Sequence, residues 1–270
     1  MNQLRILSKI SYIVHGKGQP IVFLHGLGLD SHSTELLFEP ILRDSDFQRI
    51  YLDLPGMGKS ASDVFPSSNN ILRLLIEVIR KIVGSQQFIL YGHSFGGYLA
   101  QGIALNLKEQ VAGMFLTAPV ITANSSKRRV GEHVNISQTN LNPVSNSEYF
   151  EDFLSMGVMI NQQSWELYQK LIIPGLTHAD QSFLSRLAGE YSLSIEQKLK
   201  NATYEFSLEI LVGKNDQVVG YQEQAIIGLK NANCGFVLLN KAGHNLMIDQ
   251  LELVCLHFKV FLNEVSRNFI

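Results

Sequence analysis

Three side chains in this sequence have the types that acyl transfer needs, in one of the three chain orders known for such triads. Ser94 stands in Tyr91-Gly92-His93-Ser94-Phe95-Gly96-Gly97, directly after the apolar run Phe88-Ile89-Leu90. An apolar strand that ends in Gly-x-Ser-x-Gly and passes into a helix is a nucleophile elbow. The turn is so tight that Gly92 and Gly96 must lack a Cβ, and it pushes the serine hydroxyl out at the top of the sheet. A serine hydroxyl is a weak nucleophile until a base takes its proton, and that base is normally a histidine oriented by a carboxylate. His244 lies in Lys241-Ala242-Gly243-His244-Asn245 behind the predicted strand Phe236–Leu239, and Asp216 lies in Gly213-Lys214-Asn215-Asp216 behind the predicted strand Leu208–Val212. Asp180 and Asp249 are rivals for the acid, but the strand that Asp216 follows favours it.

Acyl transfer also needs two backbone amides to receive the oxyanion. The residue after the nucleophile, Phe95, is expected to supply one. The loop His25-Gly26-Leu27-Gly28, behind the first core strand, is expected to supply the other from Leu27. His25 and His93 read as braces of these turns rather than titrating groups. Asp53 and Ser60 read as parts of a turn beside the site. Lys127-Arg128-Arg129 has the charge to meet an anionic substrate group, but a solvated basic run at the insertion boundary is the stronger reading.

These residues have to be held by strands and helices, and the chain alternates the two. Strands are predicted at Ile10–Val14, Ile21–Leu24, Arg49–Leu52, Phe88–Tyr91, Val111–Thr117, Leu208–Val212 and Phe236–Leu239. Helical spacing runs over Asn70–Val83, Phe95 to about Leu107, Tyr221–Leu229 and Met247–Val265. Near-continuous apolar strands alternating with helices make a mostly parallel sheet covered on both faces. The rhythm stops after Pro119. From 121 to 200 no strand is predicted, and three aromatic-rich helical pieces follow one another: Ser147–Ile160, Gln162–Ile173 and His178–Tyr191. The expected organisation is an α/β core of residues 1–120 and 201–270, with an all-helical cap of residues 121–200 inserted over the site. Trp165, the one tryptophan, is the first candidate for a cap residue that touches substrate.

Composition removes several other classes. The 22 basic and 24 acidic residues are well mixed and form no basic footprint for nucleic acid. The eight histidines and two cysteines form no metal-ligand spacing, so no metal is expected, and Cys234 and Cys255 read as buried free thiols. No apolar stretch is long enough for a membrane span, and no signal-peptide core follows the N-terminus, so a cytoplasmic setting is expected.

The motifs together resemble the α/β-hydrolase superfamily, in its capped serine-hydrolase branch. Beside the elbow, the chain carries a Pro-x-x-x-x-His-Gly-x-Gly loop at Pro20–Gly28 and an Asp-x-Pro-Gly-x-Gly-x-Ser turn at Asp53–Ser60. It also carries the acid loop at Gly213–Asp216 and the Gly-His pair at Gly243–His244. The resemblance covers everything except the cap. It implies a Ser94–His244–Asp216 triad, no cofactor and a small acyl substrate, with a carboxylic ester the leading expectation. Ser94 at the elbow excludes the dehalogenase and epoxide-hydrolase relatives, which place an aspartate there. Amide hydrolysis, carbon–carbon bond hydrolysis, a menaquinone-pathway lyase and a slowly turning ligand receptor stay open.

Overall fold

The computed structural model describes residues 4–137, 141 and 147–267. Its main sheet has eight strands: β1 (Arg5–Leu7), β2 (Ile10–His15), β3 (Gln19–Leu24), β4 (Phe47–Leu52), β5 (Phe88–His93), β6 (Val111–Thr117), β9 (Ser207–Gly213) and β10 (Cys234–Leu239). The order across the sheet is β1-β2-β4-β3-β5-β6-β9-β10. β1 and β2 run antiparallel to their neighbours, and every pairing from β4 to β10 is parallel.

Parallel strands need crossovers, and these are right-handed. The crossover from β3 to β4 through α1 (Ser31–Leu42) steps one way along the sheet. Those through α2 (Ser68–Val83) and α3 (Phe95–Asn106) step the other way, so they cover the opposite face. The predicted helical stripe of α2 is buried at Ile71, Leu74, Leu75, Val78 and Ile79; Ser67 caps its start and Gly84 ends it with φ +66°. On the α1 face, Phe23, Tyr51, Tyr91 and Phe115 of the sheet meet Phe38 of α1 and Phe258 of the C-terminal helix, with ring centroids 4.4–6.3 Å apart. α1 carries Pro40 and a polar first turn, which hid it from periodicity.

Between β6 and β9 the chain inserts α4 (Ser147–Met156), α5 (Gln162–Leu171), α6 (Ile173–His178), α7 (Gln181–Gly189) and α8 (Glu196–Asn201). These are shorter than the predicted pieces because polar caps interrupt them. The Asn161 side chain accepts from Ser164 N, and that of Asp180 accepts from Phe183 N. The insertion is also not wholly helical. Two-residue strands β7 (Ile136–Ser137) and β8 (Met159–Ile160) pair in parallel, too short to leave a period in the sequence.

After β9 come α9 (Gln222–Lys230) and β10, then α10 (Leu246–Asp249) and α11 (Leu251–Arg267) in place of one predicted helix. Gln250 breaks it. Its backbone is non-helical (φ −141°, ψ 48°), and its side-chain amide nitrogen donates to the carbonyls of Asn240 and Lys241. Cys234 and Cys255 are free thiols, half-buried rather than enclosed. Among the described residues, no helix is long and apolar enough to cross a membrane.

Candidate active site

Ser94 joins β5 to α3 with φ +51° and ψ −114°, a left-handed conformation that costs energy for a residue with a Cβ. The surroundings leave no other path. A Cβ on Gly96 would lie 2.4 Å from the carbonyl oxygens of Leu24 and His25, and one on Gly92 would lie 2.7 Å from the Cα of Gly97. The strained turn is held by bonds from Ser94 N to Thr117 O (3.0 Å) and from Val120 N to Ser94 O (3.1 Å).

His244 arrives on the loop after β10 and Asp216 on the loop after β9, both at the C-terminal edge of the sheet where Ser94 stands. The Ser94 hydroxyl lies 2.9 Å from His244 Nε2, and His244 Nδ1 lies 2.9 Å from Asp216 Oδ2. Nδ1 donates to the carboxylate, so Nε2 is left to accept the serine proton. Burial raises the pKa of Asp216. The His244 ring and two amides, Val218 N at 2.8 Å and Val219 N at 2.9 Å on Oδ1, outweigh it, and the net direction is downward. The Asp216 carboxylate is therefore ionised at neutral pH. All three side chains are buried.

The rival aspartates have other partners. Asp180 caps α7. Asp249 is enclosed and accepts from three backbone amides, those of Val158 (3.1 Å), Met159 (2.8 Å) and Gly243 (2.8 Å). It thereby ties the histidine loop to β8 of the insertion.

The expected oxyanion donors also meet at this edge. Phe95 N opens α3, where the first N–H groups have no helical acceptor. Leu27 sits in a loop that Gly28 turns with φ +76° and that Leu29 N closes on Gly26 O at 3.1 Å. Among the described residues, neither amide donates to a backbone carbonyl in a turn or loop. His25 braces this loop: Nδ1 donates to Gly26 O (2.8 Å) and Nε2 accepts from Leu54 N (2.9 Å). That pattern fixes a neutral ring, and burial lowers its pKa. His93 donates from Nδ1 towards Thr117, and its ring lies 5.2 Å from that of His244. Burial, with His244 adding to it, pushes the His93 pKa down to about 3. Asp53 accepts from Ser31 N and Lys59 N, while the Ser60 hydroxyl bonds Asp53 O, so this turn is a brace as well.

A cleft of about 700 Å³ opens over the hydroxyl, lined by Leu27, Ser94, Val120, Val218 and His244 from the sheet edge and by Arg128, Met156 and Tyr191 from the insertion. A larger depression of about 800 Å³ lies at the other end of β6 and β9, around Gln87 and Glu205, remote from the triad.

Two expectations need correction here. Trp165 does not line the cleft. It is 2% exposed and packs among Phe150, Phe153 and Tyr168 at 5.2–5.8 Å. The helical spacing of Ser164, Trp165, Tyr168 and Leu171 turns that face of α5 into the insertion's own core. Arg128 is not part of a solvated run. It is half-buried, and its guanidinium bonds the carbonyls of Thr122 (2.8 Å), Ala123 (3.0 Å) and Val218 (3.1 Å). Neither Arg128 nor Tyr191 carries a sequence signal that sets it apart from neighbouring residues. Among the described residues, no three His, Cys, Asp or Glu side chains gather where they could hold a metal ion.

Known proteins resemble this chain in sequence and fold. An alpha/beta superfamily hydrolase from Oenococcus oeni PSU-1 is 55% identical, with a TM-score of 0.95 over 98% of this chain and 99% of the other. Shorter matches join the chain to an abhydrolase domain-containing protein, abhd-5.2, of Caenorhabditis elegans and to a 2-succinyl-6-hydroxy-2,4-cyclohexadiene-1-carboxylate synthase of Escherichia coli O8. The first is 35% identical over 105 residues, the second 39% over 100. They span 37% and 33% of this chain, but only 23% and 37% of those proteins. The model of the alpha/beta hydrolase fold matches residues 19–251. The chain therefore belongs to the alpha/beta hydrolase fold family.

Proposed function

We propose that the protein is a serine hydrolase that cleaves a small carboxylic ester through an acyl-enzyme. One observation carries the reading: the unbroken relay from the Ser94 hydroxyl through His244 to Asp216, with both links at 2.9 Å. In the first step His244 Nε2 takes the Ser94 proton as the oxygen attacks the ester carbonyl. Asp216 holds the ring in the needed tautomer and stabilises the imidazolium. The Leu27 and Phe95 amides receive the oxyanion, and each such donor lowers the barrier by roughly 3 kcal/mol. His244 then protonates the leaving alcohol. Water, deprotonated by the same nitrogen, cleaves the acyl-enzyme and restores Ser94.

Residues 121–200 act as the cap in this reading. They bring Arg128, Met156 and Tyr191 to the cleft and hold the histidine loop through Asp249. The test is Ser94→Ala assayed on short-chain p-nitrophenyl esters. A loss of roughly 10⁴-fold or more in kcat is expected, and undiminished turnover would remove the reading. Titration with a fluorophosphonate, followed by turnover on a broad ester panel, separates an enzyme from a receptor. Labelling without turnover on any ester would favour the receptor.

A further inference from the structure

Among the described residues, Arg128 is the one guanidinium that lines the Ser94 cleft. Its three carbonyl partners come from two places. Thr122 and Ala123 open the insertion, and Val218 lies in the acid loop, where its own N–H bonds Asp216. Carbonyls orient a guanidinium but do not neutralise it. Among the described residues, no carboxylate comes within ion-pair distance of Arg128, and the remaining residues of the sequence include no Asp or Glu. The acidic groups around it have other partners or face solvent. Asp216 is turned to His244 and two amides, Glu223 accepts from the Thr122 hydroxyl, Glu196 accepts from the Ala123 amide, and Glu190 is an exposed residue in the cleft lining. Beneath the cleft the N-terminus of α3, a 12-residue helix, adds positive potential of its own. A charge this fixed, half-buried and unpaired is costly unless something anionic visits it.

We propose that Arg128 is an anion subsite of the Ser94 cleft, and that the substrate is an ester bearing a free carboxylate. The ester part rests on the function proposed above; the anion subsite does not. The carbonyls occupy three of the guanidinium's five N–H groups, leaving two for the ligand. Two donors with one positive charge match a carboxylate, which accepts in a fork, better than a phosphate dianion. The Tyr191 phenol neighbours the same group. Burial raises its phenol pKa, and the Arg128 charge pulls it back.

The experiment compares paired substrates in wild type, Arg128→Gln and Arg128→Lys. Mono-p-nitrophenyl adipate is set against p-nitrophenyl hexanoate, and 4-acetoxybenzoate against 4-acetoxybenzamide, which places the carboxylate on either half of the ester. Arg128→Gln is expected to lose roughly ten- to a hundredfold in kcat/KM on the anionic member of at least one pair and under threefold on its neutral partner. Arg128→Lys is expected to recover part of that loss. Equal losses on anionic and neutral esters would instead make Arg128 a strut between Ala123 and Val218, and the proposal would fall. Should Arg128→Gln not fold, wild type alone decides: adipate must inhibit neutral-ester turnover competitively, and hexanamide must not. Should no ester be turned over, calorimetric titration of Ser94→Ala with adipate still tests the subsite. Binding there upholds it while the hydrolase reading fails; no binding, or tighter binding of inorganic phosphate, overturns it.

Discussion

The C-terminal edge of the sheet and the inserted helices above it are built on different rules. At the edge, backbone meets backbone. The elbow glycines face carbonyls and a Cα, and Gly213 at the end of β9 faces the carbonyls of Ala242 and Gly243, where a Cβ would come within 2.4 Å. Such contacts have no slack, so few residue types fit and a recognisable motif results. In the insertion, side chain meets side chain. Phe150, Phe153, Trp165 and Tyr168 form a cluster whose members any large apolar group could replace with modest repacking. In the proposed function, the first region carries the chemistry and the second shapes what reaches it.

The largest test of that division lies at the acids. Asp216→Asn is expected to reduce kcat by about 10⁴-fold, since an amide no longer selects the working tautomer. Asp180→Asn is expected to leave kcat unchanged, because asparagine caps a helix as well as aspartate does. Comparable losses in ester assays of both would erase the distinction.

Next in size, Trp165→Ala is expected to destabilise the protein by about 3 kcal/mol in urea unfolding, with KM of the folded fraction unchanged. A large KM change at constant stability would return Trp165 to the cleft.

Asp249→Asn probes the seam between the two regions. Its one remaining acceptor cannot serve three amides, so a loss of about 2 kcal/mol in stability is expected. A several-fold fall in kcat should follow as the Gly243–His244 loop loosens. Rescue by Asp249→Glu is not expected, because the three donors converge on the shorter side chain.

The last test is a slope with pH, small over any single unit. His93 has a folded-state pKa near 3, below its ordinary 6.5, so from 6.5 down to 3 the unfolded chain binds a proton that the folded chain does not. The sign is destabilising as pH falls, by about 1.4 kcal/mol per pH unit from this one group. Asp216, also depressed, adds its own loss only below its ordinary 3.8. Denaturant unfolding from pH 7 to 4 should therefore fall less steeply in His93→Gln than in wild type. Parallel profiles would show that His93 is not held neutral.

Seven of the eight strands of the main sheet, within a few residues, and the Ser94, Asp216 and His244 loops were legible in the chain, because long apolar runs and backbone-limited turns admit few sequences; the three-residue edge strand β1 was too short and too exposed to leave a pattern. α1 was not legible, since its first turn is polar and it carries Pro40. Nor was the break at Gln250, which depends on carbonyls ten and nine residues earlier.

The amino-acid sequence by itself determined the turn that presents Ser94 and the strand-end loops that carry Asp216 and His244. Each is dictated by local geometry: a turn too tight for a Cβ, a strand end, a short loop. Only the tertiary structure decided which aspartate faces the histidine, that Trp165 is internal to the insertion, and that Arg128 stands over Ser94 without a counter-charge. Those outcomes depend on distant segments meeting, as Arg128 meets Val218 and Asp249 meets Val158, and no local pattern encodes a partner ninety residues away.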